Sequence, residues 1–161
     1  MRELPDSDFR TVRGYQLQSR GEGRLTPALE DYLEMTYRLC LVNNYARVGK
    51  LSELLNVKPP SVSRMISKLS HLGYLKNDRY DIIQLTDLGR ETGAYLLKRH
   101  EAVEEFLRLI GNQNPLEETE LIEHTLSPST IDDLNVLLNF FKTRQDIRES
   151  FNNFKARGNQ L

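Results

Sequence analysis

From Leu29 onward, apolar and small positions recur at intervals of three and four, at Leu29, Leu33, Thr36, Tyr37 and Cys40. That spacing lines one face of a helix. Thr26-Pro27 stands in front of it, a capping side chain followed by a residue whose fixed φ suits the first helical turn. The pattern predicts a helix over about 27–42. Residues 1–24 carry single scattered hydrophobes and three glycines with no sustained period, and read as a mobile N-terminal arm.

The next stretch changes rhythm. Residues 48–55 give a short amphipathic helix, and Asn56-Val57 turns the chain. Lys58-Pro59-Pro60-Ser61 then opens a second helix over 61–72, with Val62, Met65, Ile66 and Leu69 pointing inward. Two short helices joined by a tight turn make a helix-turn-helix. The outward positions of the second helix are Ser61, Ser63, Arg64, Ser67 and Lys68, side chains suited to base edges and phosphates. With Lys58 and Pro59 at its mouth they form the candidate DNA-binding set. Residues 73–76 and 82–86 read as two strands around a five-residue loop. A hairpin placed after a recognition helix is a wing, and Arg79 at its tip is either a phosphate contact or an idle loop arginine.

A long helix follows from Thr86 or Asp87 to about Ile110, where Gly111 stops it. Asn114-Pro115 and Ser127-Pro128 start two more helices, the second with a stripe of Ile131, Leu134, Leu137, Leu138 and Phe141. Residues 142–155, with Ile147, Phe151 and Phe154, form a last helix able to pack on a partner. The expected fold is mainly α: an N-terminal winged helix-turn-helix (25–86) followed by a helical metal-binding and dimerisation domain (87–161).

Composition adds little to this, but charge distribution adds more. With 39% hydrophobic and 28% charged residues, the 161-residue chain has the make-up of an ordinary soluble protein. Apolar runs fall far short of a bilayer span, and the single cysteine, Cys40, excludes an internal disulfide framework and fits a reducing cytoplasm. Net charge is only −1, yet residues 47–79 hold seven Lys/Arg against two acids, while residues 101–149 hold eleven acids against four bases. A basic segment beside an acidic one suggests a polyanion-binding module joined to one that holds cations or a partner.

The acidic segment contains Glu120-Leu121-Ile122-Glu123-His124, three potential metal ligands at i, i+3 and i+4 on one helix face. Carboxylate and imidazole together suit a divalent ion of intermediate hardness, although such a run is more often a solvated helix face. Asp31 and Glu34 on the first helix, and His100 on the long one, are open to the same two readings.

Taken together, these segments resemble the diphtheria-toxin-repressor family of metal-dependent transcriptional repressors, and within it the branch that answers to manganese. The likeness rests on Thr26-Pro27-Ala28-Leu29-Glu30-Asp31-Tyr32-Leu33-Glu34, Tyr45-Ala46-Arg47-Val48, Pro59-Pro60-Ser61-Val62-Ser63-Arg64-Met65, Arg99-His100-Glu101, residues 105–111, and Ile122-Glu123-His124 with Leu126-Ser127. The resemblance implies a cytoplasmic homodimer that binds double-stranded operator DNA and represses manganese-uptake genes, with no membrane partner and no organic cofactor. It also implies two manganese ions per subunit, held by Asp31, Glu34, His100, Glu120, Glu123 and His124. Glu120 and Glu123 would bridge the ions; Asp31, Glu34 and His100 would complete one site and His124 would serve the other. Iron-responsive relatives have methionine and cysteine where this chain has Asp31 and Glu120, and two hard oxygens favour manganese. The sequence also ends without the SH3-like domain of the iron-type members. Two departures from the pattern are the long arm before Thr26 and Thr125, where a second histidine is common.

Two rivals are a winged-helix regulator answering to another metal (iron, zinc or cobalt) or to a small organic ligand, and a two-metal hydrolase. Against the hydrolase, the sequence offers no Gly-rich phosphate loop or nucleophile motif, and the basic helix-turn-helix would go unexplained.

Overall fold

The computed structural model describes residues 25–78 and 82–158, which divide into two compact units, one through Gly93 and one from Ala94. The expected N-terminal arm (1–24) and the wing-tip Arg79 lie outside the described residues. The architecture is mainly helical with a small sheet.

The first unit opens with α1 (Pro27–Asn43), capped as its sequence predicts: the Thr26 hydroxyl accepts from the Leu29 N–H at 3.3 Å. Leu29, Tyr32, Leu33, Thr36 and Cys40 form its buried stripe, and burial of a leucine such as Leu33 contributes about 1.5–3 kcal/mol. Asn44 ends the helix in the left-handed region at φ 65°, its N–H returning to the Cys40 carbonyl. This geometry suits asparagine better than most residues.

A helix-turn-helix follows, made of α2 (Val48–Leu54) and α3 (Pro59–His71). The turn rests on Asn56 at φ 52° and on the Ser52 hydroxyl, which donates to the Val57 carbonyl. Helix α3 starts two residues earlier than its pattern suggests. Lys58 takes the capping position and both prolines fall in the first turn, where a missing N–H costs nothing. Val62, Ile66 and Leu69 are buried beneath it.

The wing consists of β2 (Leu75–Asn77) and β3 (Ile82–Leu85), antiparallel, with Leu75 opposite Leu85. A short strand that the pattern did not reveal, β1 (Ala46–Arg47), pairs with the other edge of β3, giving the order β1-β3-β2. It fastens the residues just before α2 to the wing.

Helix α4 (Asp87–Ile110) begins in the first unit and ends in the second. The Thr86 hydroxyl donates to the Gly73 carbonyl at 2.6 Å and accepts from the Gly89 N–H at 3.0 Å, tying the helix start to the wing. Close packing there requires glycine. A Cβ on Gly89 would collide with the Tyr74 carbonyl oxygen, and one on Gly93 would stand 2.7 Å from the Tyr37 Cβ.

In the second unit, α4 is followed by α5 (Pro115–Ile122), a 3₁₀ turn (Glu123–Thr125), α6 (Pro128–Thr143) and α7 (Gln145–Gly158). Its core is Ala102, Val103 and Leu107 of α4 against Ile131 and Leu138 of α6. Ser127 caps α6 by accepting from the Thr130 N–H. Helix α7 buries none of its residues, and Phe154 is 75% exposed.

Candidate metal centre and nucleic-acid interface

The second unit brings four of the six candidate ligands to one neighbourhood. Thr119 Oγ1 donates to the Pro115 carbonyl inside α5, and the α-helix gives way to the tighter 3₁₀ turn at Glu123. The change alters the single-face arrangement expected of Glu120, Glu123 and His124. Glu123 is 1% exposed, His124 is half-buried, and the Glu120 side chain is 53% exposed.

Helix α4 supplies the facing residues Arg99 and His100, both buried. His100 Nδ1 lies 3.1 Å from Glu123 Oε1 and 3.6 Å from Glu120 Oε1. Arg99 Nε lies 3.4 Å from Glu123 Oε2, and its Nη2 lies 3.0 Å from His124 Nδ1. Arginine has no acceptor, so the guanidinium donates to both, and His124 Nδ1 receives with its lone pair. His100 Nδ1 and Glu123 Oε1 are within hydrogen-bond distance of each other, and His100 Nε2 lies 3.8 Å from Glu104 Oε2 on the same helix. A buried carboxylate thus bridges an imidazole and a guanidinium, and the guanidinium bridges onward to a second imidazole.

This donor chemistry fits a divalent cation. Imidazole nitrogens and carboxylate oxygens are the ligands of intermediate to hard ions. Metal-binding histidines commonly hand their other ring N–H to a carboxylate, the relation His100 has with Glu123. Sequence reasoning quoted Arg99 only as part of a resemblance and gave it no chemical task. The signal available was a charged residue beside a candidate ligand on a helix whose neighbours are apolar.

The other two candidates, Asp31 and Glu34, lie three apart on α1 in the first unit. Glu34 is buried, and Arg38 Nη2 donates to its Oε1 at 2.6 Å. Beside Asp31, burial and the aspartate charge together raise the Tyr32 phenol above its usual range.

The first unit also presents α3. Ser61, Ser63, Arg64, Ser67 and Lys68 are all exposed, as are Lys58 and Pro59 at its start. Val62, Ile66 and Leu69 fill the opposite side. Among the described residues Lys58, Arg64 and Lys68 form no ion pair, so their charge is available to an anionic partner. The pattern is a basic, hydroxyl-rich helix face presented on a packed scaffold.

Comparison with known proteins bears on both sites. Residues 24–82 match the family model described as iron dependent repressor, N-terminal DNA binding domain. Residues 86–152 match iron dependent repressor, metal binding and dimerisation domain. The HTH-type transcriptional regulator MntR of Oceanobacillus iheyensis is 43% identical over 73% of this chain and 81% of its own length. Its namesake from Geobacillus thermodenitrificans is 39% identical over 84% of this chain and 97% of its own. Among solved structures, the manganese regulator SloR superposes with a TM-score of 0.61 at 30% identity over 72% of this chain. The chain spans about half of that protein, 55% of its length.

Proposed function

The chain belongs to the iron-dependent repressor family, also named for the diphtheria-toxin repressor, and on that premise we propose that it is a manganese-activated dimeric repressor of manganese-uptake genes. The family is one of DNA-binding regulators and not of enzymes, which removes the hydrolase alternative. No helix among the described residues is long and apolar enough to cross a membrane. The proposed setting is the cytoplasm, with operator DNA and a second copy of the chain as partners.

The observation that carries the metal reading is the buried contact of His100 with Glu123, beside His124, in a chain about 40% identical to regulators of this type. Two manganese ions per subunit would be held by Asp31 and Glu34 of α1 together with His100, Glu120, Glu123 and His124. Oxygen donors at Asp31 and Glu120 support manganese over softer-ligand ions, and the printed description of SloR as a manganese regulator supports the same choice. A bound divalent cation would supply the positive charge that offsets the mutual repulsion of these carboxylates.

Helix α3 would read the major groove, with Arg64 and the serines at base edges and phosphates and Lys58 and Lys68 on the backbone, while Arg79 reaches the flanking phosphate from the wing. Half-sites one helical turn apart demand about 34 Å between the two recognition helices of a dimer. Ligands drawn from both units would restrict that separation, raising DNA affinity without any contact between metal and DNA. By linkage, DNA would tighten metal binding by the same factor. Exposed Val136, Leu137, Phe140 and Phe154 on α6 and α7 provide an apolar surface for dimerisation.

The test is a titration of a manganese-transporter promoter fragment by fluorescence anisotropy at fixed salt, with and without manganese. A manganese-dependent gain in affinity is expected; equal affinity in both conditions would refute the proposal.

A further inference from the structure

Arg99 is an unusual neighbour for a cation site. Its side chain is 3% exposed and belongs to α4, next to His100, and its guanidinium has Glu123 Oε2 and His124 Nδ1 among its partners. A carboxylate oxygen and a ring nitrogen with its lone pair are both able to ligate a metal. A guanidinium is permanently charged and only donates, so each of these contacts consumes a lone pair. The buried Glu123 carboxylate needs a compensating cation, and Arg99 is one already in place.

We propose that Arg99 is a built-in counter-cation that competes with the incoming metal for Glu123 and His124, and so sets the affinity of the ion that His124 serves. This rests on the metal reading above. Two positive charges cannot share the same lone pairs, so binding at His124 Nδ1 requires the guanidinium to withdraw. The free energy of the Arg99 contacts is then subtracted from that of ion binding. Glu123 would serve both ions, so its contact with Arg99 bears on both, whereas the contact with His124 bears on one ion alone. The two ions should therefore differ in affinity, the one served by His124 being the weaker. A weak second ion makes the protein respond to abundant metal and not to traces. The same arginine offsets the charge of Glu123 at low metal.

The experiment is a manganese titration of the full-length protein, with free ion read by electron paramagnetic resonance, comparing wild type with Arg99→Gln and Arg99→Lys. Arg99→Gln should tighten the weaker class by at least about fivefold, the low end of usual couplings between sites, while lowering the melting temperature without metal. Arg99→Lys keeps a cation but cannot reach both partners, and should fall between. Unchanged or weaker binding of the second ion in Arg99→Gln would overturn the proposal and make Arg99 a structural residue. Wild-type protein that binds no manganese would overturn the metal reading as well. Should Arg99→Gln fail to fold, the wild type still decides. The Arg99 Nε–H resonance, followed while diamagnetic cadmium is added, must lose its protection from exchange if the guanidinium withdraws, and retained protection refutes competition.

Discussion

His100 and Glu123, 23 positions apart in the chain, meet at 3.1 Å in the interior of the second unit. Neither helix alone creates this contact: α4 brings the imidazole, and the 3₁₀ turn after α5 aims the carboxylate inward. Because Glu123 also receives Arg99, one carboxylate neutralises a buried cation and orients a buried imidazole. Its removal therefore reaches beyond the metal.

Glu123→Ala should abolish manganese binding and also destabilise the protein in the absence of metal. A buried charge left without its partner typically costs about 3–5 kcal/mol. Urea denaturation in the presence of a chelator measures this. An unaltered midpoint would mean that Arg99 finds other compensation at no cost.

The exposed basic face of α3 makes a separate prediction. Arg64→Ala with Lys68→Ala should weaken operator binding while leaving metal binding and oligomeric state intact. Loss of one phosphate contact should flatten the log–log salt dependence of DNA affinity by roughly one unit. If operator affinity were unchanged, α3 would not be the reading helix.

Asp31→Asn with Glu34→Gln keeps shape but removes the two candidate anionic ligands of the first unit. Metal-free DNA binding should persist, since the electrostatic term comes from the untouched basic helix. The manganese-dependent gain, on the order of 5- to 150-fold for usual couplings, should largely vanish in the same anisotropy titration. A full wild-type response would exclude α1 from the switch.

Cys40 gives a pH prediction. Burial pushes its thiol above the usual range, outweighing the lowering effects of Arg90 and of a backbone hydrogen bond, and its Sγ faces the Ile83 carbonyl at 3.9 Å. A folded pKa above the unfolded one favours the neutral form in the native state. The associated stability is fully present below the ordinary thiol pKa and is lost as pH rises through the raised one. Tyr32, also raised, acts in the same direction at higher pH. Stability measured by denaturant should fall on the alkaline side of the thiol range, and Cys40→Ala should remove the earlier part of that fall.

Much of this was legible in the chain because the relevant signals are local. Thr26-Pro27, Gly111, Ser127-Pro128 and the apolar period fix where α1, α4 and α6 begin or end, and the outward residues of α3 follow from its inward ones. The start of α3 was misjudged because two adjacent prolines read as a lead-in, when the first turn accepts them. Strand β1 was invisible: two residues have no period, and their sheet partners, Ile82 and Ile83, lie more than thirty positions away. The 3₁₀ turn at Glu123 was missed for a similar reason, since α and 3₁₀ differ there by one hydrogen bond. Arg99 escaped because its meaning lies in Glu123 and His124, more than twenty positions away.

The flat strip made by Gly89 and Gly93 decides where the chain can be cut. Those two turns of α4 cover the Tyr74 carbonyl and the Tyr37 ring base so closely that no side chain fits between. A fragment ending at the last wing residue would bare that seam to water and would also lose Gly89, the donor to Thr86. The shortest excised piece expected to keep the helix-turn-helix intact therefore carries the start of α4 through Gly93, and inherits from it a stub of the helix that carries Arg99 and His100.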